Sequence, residues 1–446
     1  MIRLPMLLAG AAALLLPACA SFPDTNGGGR VVRAADLASE MPRRWSYDLG
    51  DPAFAAFLDR ADLGSLDVKA ALARAAASDA ALRAARSGGR PKIDAVSGWQ
   101  RAIAGPDRAA GGVDVGVTAE WTPDLSGEIS AAVEAAHFEA RAAGHEVEAA
   151  RARLAAELAR AWLALAASDD RLARIARREV MENEGAGLAR RRIAAGYATR
   201  DELLLRQTAL ARLADERLIA KNERETVRLR LLALAGLAPD EHFDAPRSLS
   251  ALTPFEPPLL SLDDLNSRPD VLAAAEQLAA ADMRRLEAIR SARPRLVLSL
   301  AGQGGNLSLS RFFENPGFGL IPGVRLEGAI FDGGRARARA DRAAAEGAEV
   351  EALYLKTLRG AQQDLATALS ALVSAQQRQR PAADAVRHAR ERLRLVDSRF
   401  AGGTASRLDR IDSEQQLVEA EDAAAQARRA IIAAGVETYA ALVGGS

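Results

Sequence analysis

The chain is poor in several residue types at once. Its 446 residues include one cysteine, four histidines and five methionines. The lone cysteine, Cys19, excludes an intramolecular disulfide even in an oxidising compartment. Aromatics make up 4% of the residues although hydrophobic residues make up 49%. Alanine accounts for most of the difference, a balance that favours closely packed helices over a large aromatic core. Neither sign of charge is in excess, because 59 basic residues meet 59 acidic ones. The basic footprint of a nucleic-acid-binding protein is therefore missing. Enzyme motifs are missing too: there is no phosphate-binding glycine loop, no His-Glu-x-x-His and no Gly-x-Ser-x-Gly. His137, His145, His242 and His388 form no ligand cluster, and the scattered Met1, Met6, Met41, Met181 and Met283 argue for no copper site. No catalytic activity, cofactor or metal is expected.

The N-terminus reads as an address. Arg3 is followed by an apolar run of 13 residues, Leu4 to Leu16. A spanning helix takes roughly 20 residues, so the run suits a signal peptide instead. It ends in Leu16-Pro17-Ala18-Cys19, which resembles a bacterial lipobox with Cys19 as the lipidated first residue of the mature chain. Ala20 and Ser21 stand where aspartate would argue against sorting to the outer membrane. An ordinary signal peptide with an incidental cysteine is the alternative.

An internal repeat is the most informative feature. Leu66-Asp67-Val68 aligns with Pro269-Asp270-Val271, and Arg90-Pro91 with Arg293-Pro294, at an offset of 203. Gly127 and Gly196 align with Gly334 and Gly403 at 207, so four extra residues lie between Pro294 and Gly334. Pro239, Pro246, Pro254, Pro257 and Pro258 interrupt any helix between the halves and mark a linker. No proline falls between Pro123 and Pro239. There Val147, Ala150, Leu154, Leu158, Ala161 and Leu165 recur at helical steps, suited to coiled-coil packing. Each glycine-to-glycine leg of 69 residues reaches ~100 Å as helix. Gly185 and Gly187 are expected to loosen the first, and Pro381 to kink the second. The return segments are shorter, so two of them in series are expected beside each long helix.

Between Pro91 and Gly127 the period falls to two. Ile93, Ala95, Ser97 and Trp99 alternate with Lys92, Asp94, Val96 and Gln100. Val113, Val115, Val117, Ala119 and Trp121 alternate with Asp114, Gly116, Thr118 and Glu120. In the second half Leu296, Leu298 and Leu300, then Leu320, Val324, Leu326 and Ile330, lie opposite Gly323, Arg325 and Glu327. Such segments are the signature of transmembrane β-strands. Trp99, Trp121, Phe312, Phe313, Phe318 and Phe331 would supply an interfacial girdle. A pair of soluble hairpins is the competing reading. Four strands cannot close a barrel, and an open edge is prohibitive in a bilayer, so the membrane reading requires self-association.

Taken together, these landmarks resemble the TolC-like outer-membrane factor family, in its OprM- and NodT-like lipoprotein branch. The specific segments are Ser267-Arg268-Pro269-Asp270-Val271, Ile330-Phe331-Asp332-Gly333-Gly334-Arg335, Leu234-Ala235-Gly236-Leu237-Ala238-Pro239 and Trp121-Thr122-Pro123-Asp124-Leu125-Ser126-Gly127. Ser267 departs from the family's frequent arginine. The resemblance implies a mainly α chain that adds four strands to a twelve-stranded barrel in a homotrimer, above a long periplasmic α-barrel. It implies an outer-membrane efflux duct working with a periplasmic adaptor and an inner-membrane pump. Asp409 and Asp412 stand where the family carries a constricting ring of aspartates. Arg407, Arg200, Asp201 and Glu202 are further gate candidates, although acids in a first turn also merely favour a helix N-terminus. The turns at Gly196, Tyr197, Gly402, Gly403 and Thr404 are candidates for adaptor docking. A type I protein-secretion duct and a periplasmic coiled-coil scaffold without a pore remain as alternatives. The expected division is a signal peptide at 1–18, an extended segment at 19–64, a first repeat at 65–236 with strands in about 92–121, a linker at 237–266, and a second repeat at 267–446 with strands in about 295–331.

Overall fold

A computed structural model describes residues 50–101, 111–245, 248–252, 262–306 and 319–444. The signal peptide, Cys19, residues 246–247 and 253–261 of the proline-rich stretch, and Phe312, Phe313 and Phe318 lie outside the described residues. The elements run α1 (Pro52–Gly64), α2 (Leu66–Ser87), β1 (Lys92–Arg101), β2 (Gly111–Trp121), α3 (Glu128–Ala194) and α4 (Arg200–Leu234). Then follow α5 (Pro269–Arg290), β3 (Arg295–Asn306), β4 (Gly319–Glu327), α6 (Arg335–Ala401) and α7 (Arg407–Val443). The described residues are thus mainly helical with one sheet.

Residues 52–64, expected to be extended, instead form α1. Asp51 caps it by accepting the Ala53 N–H at 3.0 Å, and Pro52 sits in the first turn, where a missing N–H costs nothing. Phe54, Phe57, Leu58 and Ala61 form its buried face. They meet Trp162 of α3 and Phe243, with ring centroids 4.9 to 6.0 Å apart. A small aromatic core therefore exists in an alanine-dominated chain.

The two long helices have 67 residues each. Both start after a glycine in the left-handed region, Gly127 at φ 73° and Gly334 at φ 87°. Each start is capped by an aspartate from the preceding loop. Asp124 accepts the Ile129 and Ser130 N–H groups at 3.2 and 2.8 Å, and Asp332 accepts those of Gly334 and Ala336 at 2.8 Å each. The seam from Val147 to Leu165 is buried as its period demands, with Leu158 and Leu165 at 0% exposure. Burial at such positions contributes roughly 1.5–3 kcal/mol per leucine. Neither Gly185, Gly187 nor Pro381 breaks its helix. The loss of one N–H at Pro381 is outweighed by the hydrogen bonds of the turns around it.

The first long helix, α3, packs against four of the shorter helices in two end-to-end pairs, and the second, α6, against one such pair. The upper half of α3 meets α2, through Ala71 and Ala75 on Val147 and Ala150, and also meets α5. Its lower half meets α4, where Ile175 packs with Leu213 and Ala220, and α7, where Arg160 grips Glu437 with two bonds of 2.7 Å. On α6 the partners are α5 above and α7 below. The shorter helices abut end to end. A Cβ on Gly236 would strike the Gly64 carbonyl, and one on Gly444 would lie 2.7 Å from Asp270 Oδ1. The helices form a palisade one helix thick, in which α5 and α7 separate α3 from α6.

The strands form one antiparallel sheet in the order β1-β2-β3-β4. Its register brings Ile93, Ala119, Leu300 and Pro322 into one row, and Lys92, Glu120, Ser299 and Gly323 into the next. Directly opposed residues share a face, so odd residues of β1 and β2 join even residues of β3 and β4. That face carries Ile93, Val115, Val117, Trp121, Leu298, Leu300, Leu320, Val324 and Leu326. The other carries Lys92, Asp94, Thr118, Glu120, Ser299, Arg325 and Glu327, with Val96, Val297 and Ile321 as its apolar exceptions. Ile330 and Phe331 lie beyond the end of β4, where the alternation had suggested continued strand. Among the described residues β1 and β4 each keep one unpaired edge. No described helix is long and apolar enough to cross a membrane.

Candidate functional site

The far end of the palisade consists of two helical turns built alike. α3 ends with Tyr197 N–H on the Arg192 carbonyl at 2.8 Å and Gly196 N–H on Ile193 at 3.0 Å. α6 ends with Thr404 N–H on Arg399 at 2.8 Å and Gly403 N–H on Phe400 at 3.0 Å. This pair of bonds requires a left-handed residue, supplied by Gly196 at φ 79° and Gly403 at φ 74°. Gly402 is the residue before that position. Tyr197 is 79% exposed, and no atom lies within 4 Å of a Cβ built on Gly196 or Gly403. The turns therefore present open backbone to any incoming partner.

The return helices start differently. Ser406 closes a capping box with Asp409: the Asp409 N–H reaches Ser406 Oγ at 3.1 Å, and Asp409 Oδ2 accepts the Ser406 N–H at 2.7 Å. These bonds hold the Asp409 carboxyl below the usual carboxylate range. Thr199 flanks α4 without a side-chain cap.

The predicted gate residues separate into three groups. Asp409 serves its own helix end. Arg407, Asp412 and Glu202 make ion pairs between helices. Arg407 holds Glu184 of α3 through bonds of 2.6 and 2.8 Å, which pulls the Glu184 carboxyl below its ordinary value. Glu202 receives Arg192 at 2.8 Å. Arg200 and Asp201 are exposed and make no ion pair among the described residues.

Sequence reading missed the central member. Arg206 of α4 donates to Asp412 of α7 at 2.7 Å and to Glu182 of α3 at 3.3 Å. Glu182 is 8% exposed and also accepts Gln415 Nε2 at 2.5 Å. Gly185 lies directly beneath, since a Cβ there would sit 3.4 Å from Arg206 Nε. One guanidinium thus ties three helices together just above the turns. A buried carboxylate with paired donors costs little while the donors stay and much once they leave. Nothing local marks Arg206 in a chain with 59 basic residues; a glycine at Gly185 facing it is the only trace.

Comparison with known proteins bears on the arrangement. Residues 57–237 and 261–444 match the family described as outer membrane efflux protein. The pyoverdine export outer membrane protein OpmQ of Pseudomonas aeruginosa is 28% identical over 455 residues, covering 97% of this chain and 95% of that protein. The outer membrane protein VceC of Vibrio cholerae has the same fold, with a TM-score of 0.78 at 23% identity over 90% of this chain and 99% of that one. The CmeC outer membrane channel of Campylobacter jejuni superposes with a TM-score of 0.81 at 18% identity, over 99% of this chain and 94% of that one.

Proposed function

The chain belongs to the outer membrane efflux protein family, and on that footing we propose that it is the exit duct of a tripartite efflux system. It is an outer-membrane efflux protein. In the finer reading three copies join edge to edge, so that their sheets close a twelve-stranded barrel and their helices continue it into the periplasm. A periplasmic adaptor docks on the turns at Gly196, Tyr197, Gly402, Gly403 and Thr404, and an inner-membrane pump supplies the energy. Cys19 carries the lipid anchor.

One observation carries this reading: a sheet apolar on one face and polar on the other, with the outer edges of β1 and β4 unpaired among the described residues. Alone in a bilayer such a sheet would leave backbone N–H and C=O groups without partners, at several kcal/mol each. Closure through further copies removes every edge and turns the polar face inward. The palisade poses the same demand, since α4 exposes Leu205 and Leu218, and α6 exposes Leu353 and Leu395.

In this reading the Arg206 network and the Arg407–Glu184 pair hold the aperture closed, and Asp409 and Asp412 become threefold rings of negative charge. Reconstitution into planar bilayers tests the proposal. Cation-selective currents are expected from the wild type, and larger, less selective ones from the Asp409→Ala, Asp412→Ala double variant. A well-folded, reconstituted protein that never conducts would sink it.

A further inference from the structure

Where the sheet meets the helices, a cavity of about 310 Å³ lies over the loop after β2 and the first turns of α3, lined by Thr122, Pro123, Ile129 and Ala132. A second cavity, of about 590 Å³, lies over the loop after β4 and the first turns of α6, lined by Ala329, Ile330, Ala336 and Arg339. Each of these four residues stands 207 after its counterpart, the offset that relates Gly127 to Gly334. The second cavity is thus the repeat-mate of the first. They differ in one wall. In the first cavity the next unit of the chain supplies it, as Glu287 of α5 with Pro294, Arg295 and Leu296 leading into β3. The second has no next unit, because β4 and α6 are the last strand and the last long helix. Ile330 and Phe331 beside it are 105% and 91% exposed.

The repeat governs the strand register too. Lys92 of β1 pairs with Glu120 of β2. Moved by 203 and 207 they become Arg295 and Glu327, which are partners in β3 and β4. We infer that a second copy of this chain completes the second cavity, its β1 lying on β4 in the register that β3 keeps on β2. The inference rests on the edge-to-edge closure proposed above and adds which residues meet. Glu120 opposite Ser299 becomes Glu327 opposite the partner's Val96. Ala119 opposite Leu300 becomes Leu326 opposite the partner's Ser97. The missing wall is then the partner's Pro91, the partner's Lys92 and the partner's Ile93. Carried past the end of β4, the register brings the partner's Ile93 to Ile330. Ile93 is 70% exposed in the single chain, so both isoleucines leave water together. Opposed residues share a face, and this register joins apolar face to apolar face, whereas a slip of one residue would cross them. The helices agree. Among the described residues neither Glu349 nor Arg74 has an ion-pair partner. Arg74 is the repeat counterpart of Gln277, which bonds Glu146 of α3 at 3.0 Å. Glu349 is the counterpart of Ala142, one turn from Glu146 and buried. Closure therefore brings Glu349 within one turn of the partner's Arg74.

Cysteine pairs in the full-length protein test the register, in isolated outer membranes oxidised and then run on denaturing gels. Directly opposed residues of antiparallel strands have Cα atoms about 4.5 to 5.5 Å apart, within reach of a disulfide. Leu326→Cys with Ser97→Cys, and Glu327→Cys with Val96→Cys, are successive pairs, so one of them is the closer, non-hydrogen-bonded kind. That pair is expected to give covalent dimer and trimer. Leu326→Cys with Ala95→Cys, a diagonal pair about 7–8 Å apart, is expected to give none, and single-cysteine variants control for Cys19. Cross-linking by the diagonal pair alone overturns the register and the completed cavity. So does an oligomer intact on native gels that neither opposed pair cross-links; in both cases edge-to-edge closure still stands. A chain that is monomeric in the membrane removes closure and inference together. Charge exchange reads the helices separately. Arg74→Glu is expected to lower the oligomer surviving detergent dilution about fivefold, and Glu349→Arg in the same chain to restore it. Failure of that rescue overturns the helix pairing.

Discussion

Arg206 on α4 hydrogen-bonds Asp412 on α7 at 2.7 Å across 206 residues of sequence. Its second nitrogen reaches Glu182 on α3. The return helix of the first half is thereby tied to that of the second, at the end of the molecule where an aperture would lie. In the proposed gate, opening would break this bond or carry all three helices together.

Arg206→Ala is expected to favour the open state. A hydrogen bond between charged groups contributes about 2 kcal/mol when partly buried, equivalent to about a thirtyfold shift in each protomer's gate. Single-channel recording should show longer open times. Adding Asp412→Ala should change little further, since both variants remove the same bond. Additive effects would mean that the two side chains act separately.

The Arg407–Glu184 pair predicts a pH dependence. Chiefly the Arg407 hydrogen bond depresses the Glu184 carboxyl, so the charged pair is favoured in the folded arrangement, which the proposal takes as closed. A depressed acid contributes above its ordinary value, about 4.5, and that contribution is lost as pH falls through the depressed value. Closed-state leak should stay constant from neutral pH down to the ordinary carboxylate range and rise only below it. In Glu184→Gln the leak should be raised already at neutral pH. A wild-type leak that begins near pH 6–7 would point to histidine instead. Both side chains are substantially exposed, so the effect is small and weakens with salt.

Substituting the junction glycine should cost far more than substituting a turn glycine. Gly236 has φ 66°, and a Cβ there collides with the backbone of Gly64. Gly236→Ala is expected to lose about 3 kcal/mol or more and to lower the yield of folded protein. Gly403→Ala meets no neighbour and pays only the left-handed strain, about 1–2 kcal/mol. Thermal unfolding of both variants checks the order, and an equal loss would remove the end-to-end junction from the account.

Cys19→Ser should abolish lipid attachment while leaving the fold intact. Intact-mass measurement of the membrane-extracted protein reads this directly. A wild-type mass equal to that of the unmodified mature chain would end the anchor proposal.

What could be read from the chain was whatever repeats along it. The seam from Val147 to Leu165 announces a buried helical stripe, because burial on a helix recurs every three to four residues. The alternation around Ile93 and Val117 announces a two-faced strand for the same reason at period two. Glycines at Gly127, Gly196, Gly334 and Gly403 mark helix ends, since the left-handed region excludes most other residues. Asp51-Pro52 and the spacing of Phe54, Phe57, Leu58 and Ala61 carried a signal for α1 that the expectation of an extended segment over 19–64 overlooked.

Lateral neighbours were another matter. That α5 and α7 stand between the long helices, that Gly64 meets Gly236, and that Arg206 chooses Glu182 and Asp412 are facts of tertiary structure. A helix states in its own sequence which face it buries, but the rotation and height of the helix laid against that face depend on how two sets of side chains interlock. An ion pair between residues far apart in sequence inherits that dependence. The sequence by itself determined the elements and their two-faced character; packing alone decided which charges meet, and therefore where a gate can be held.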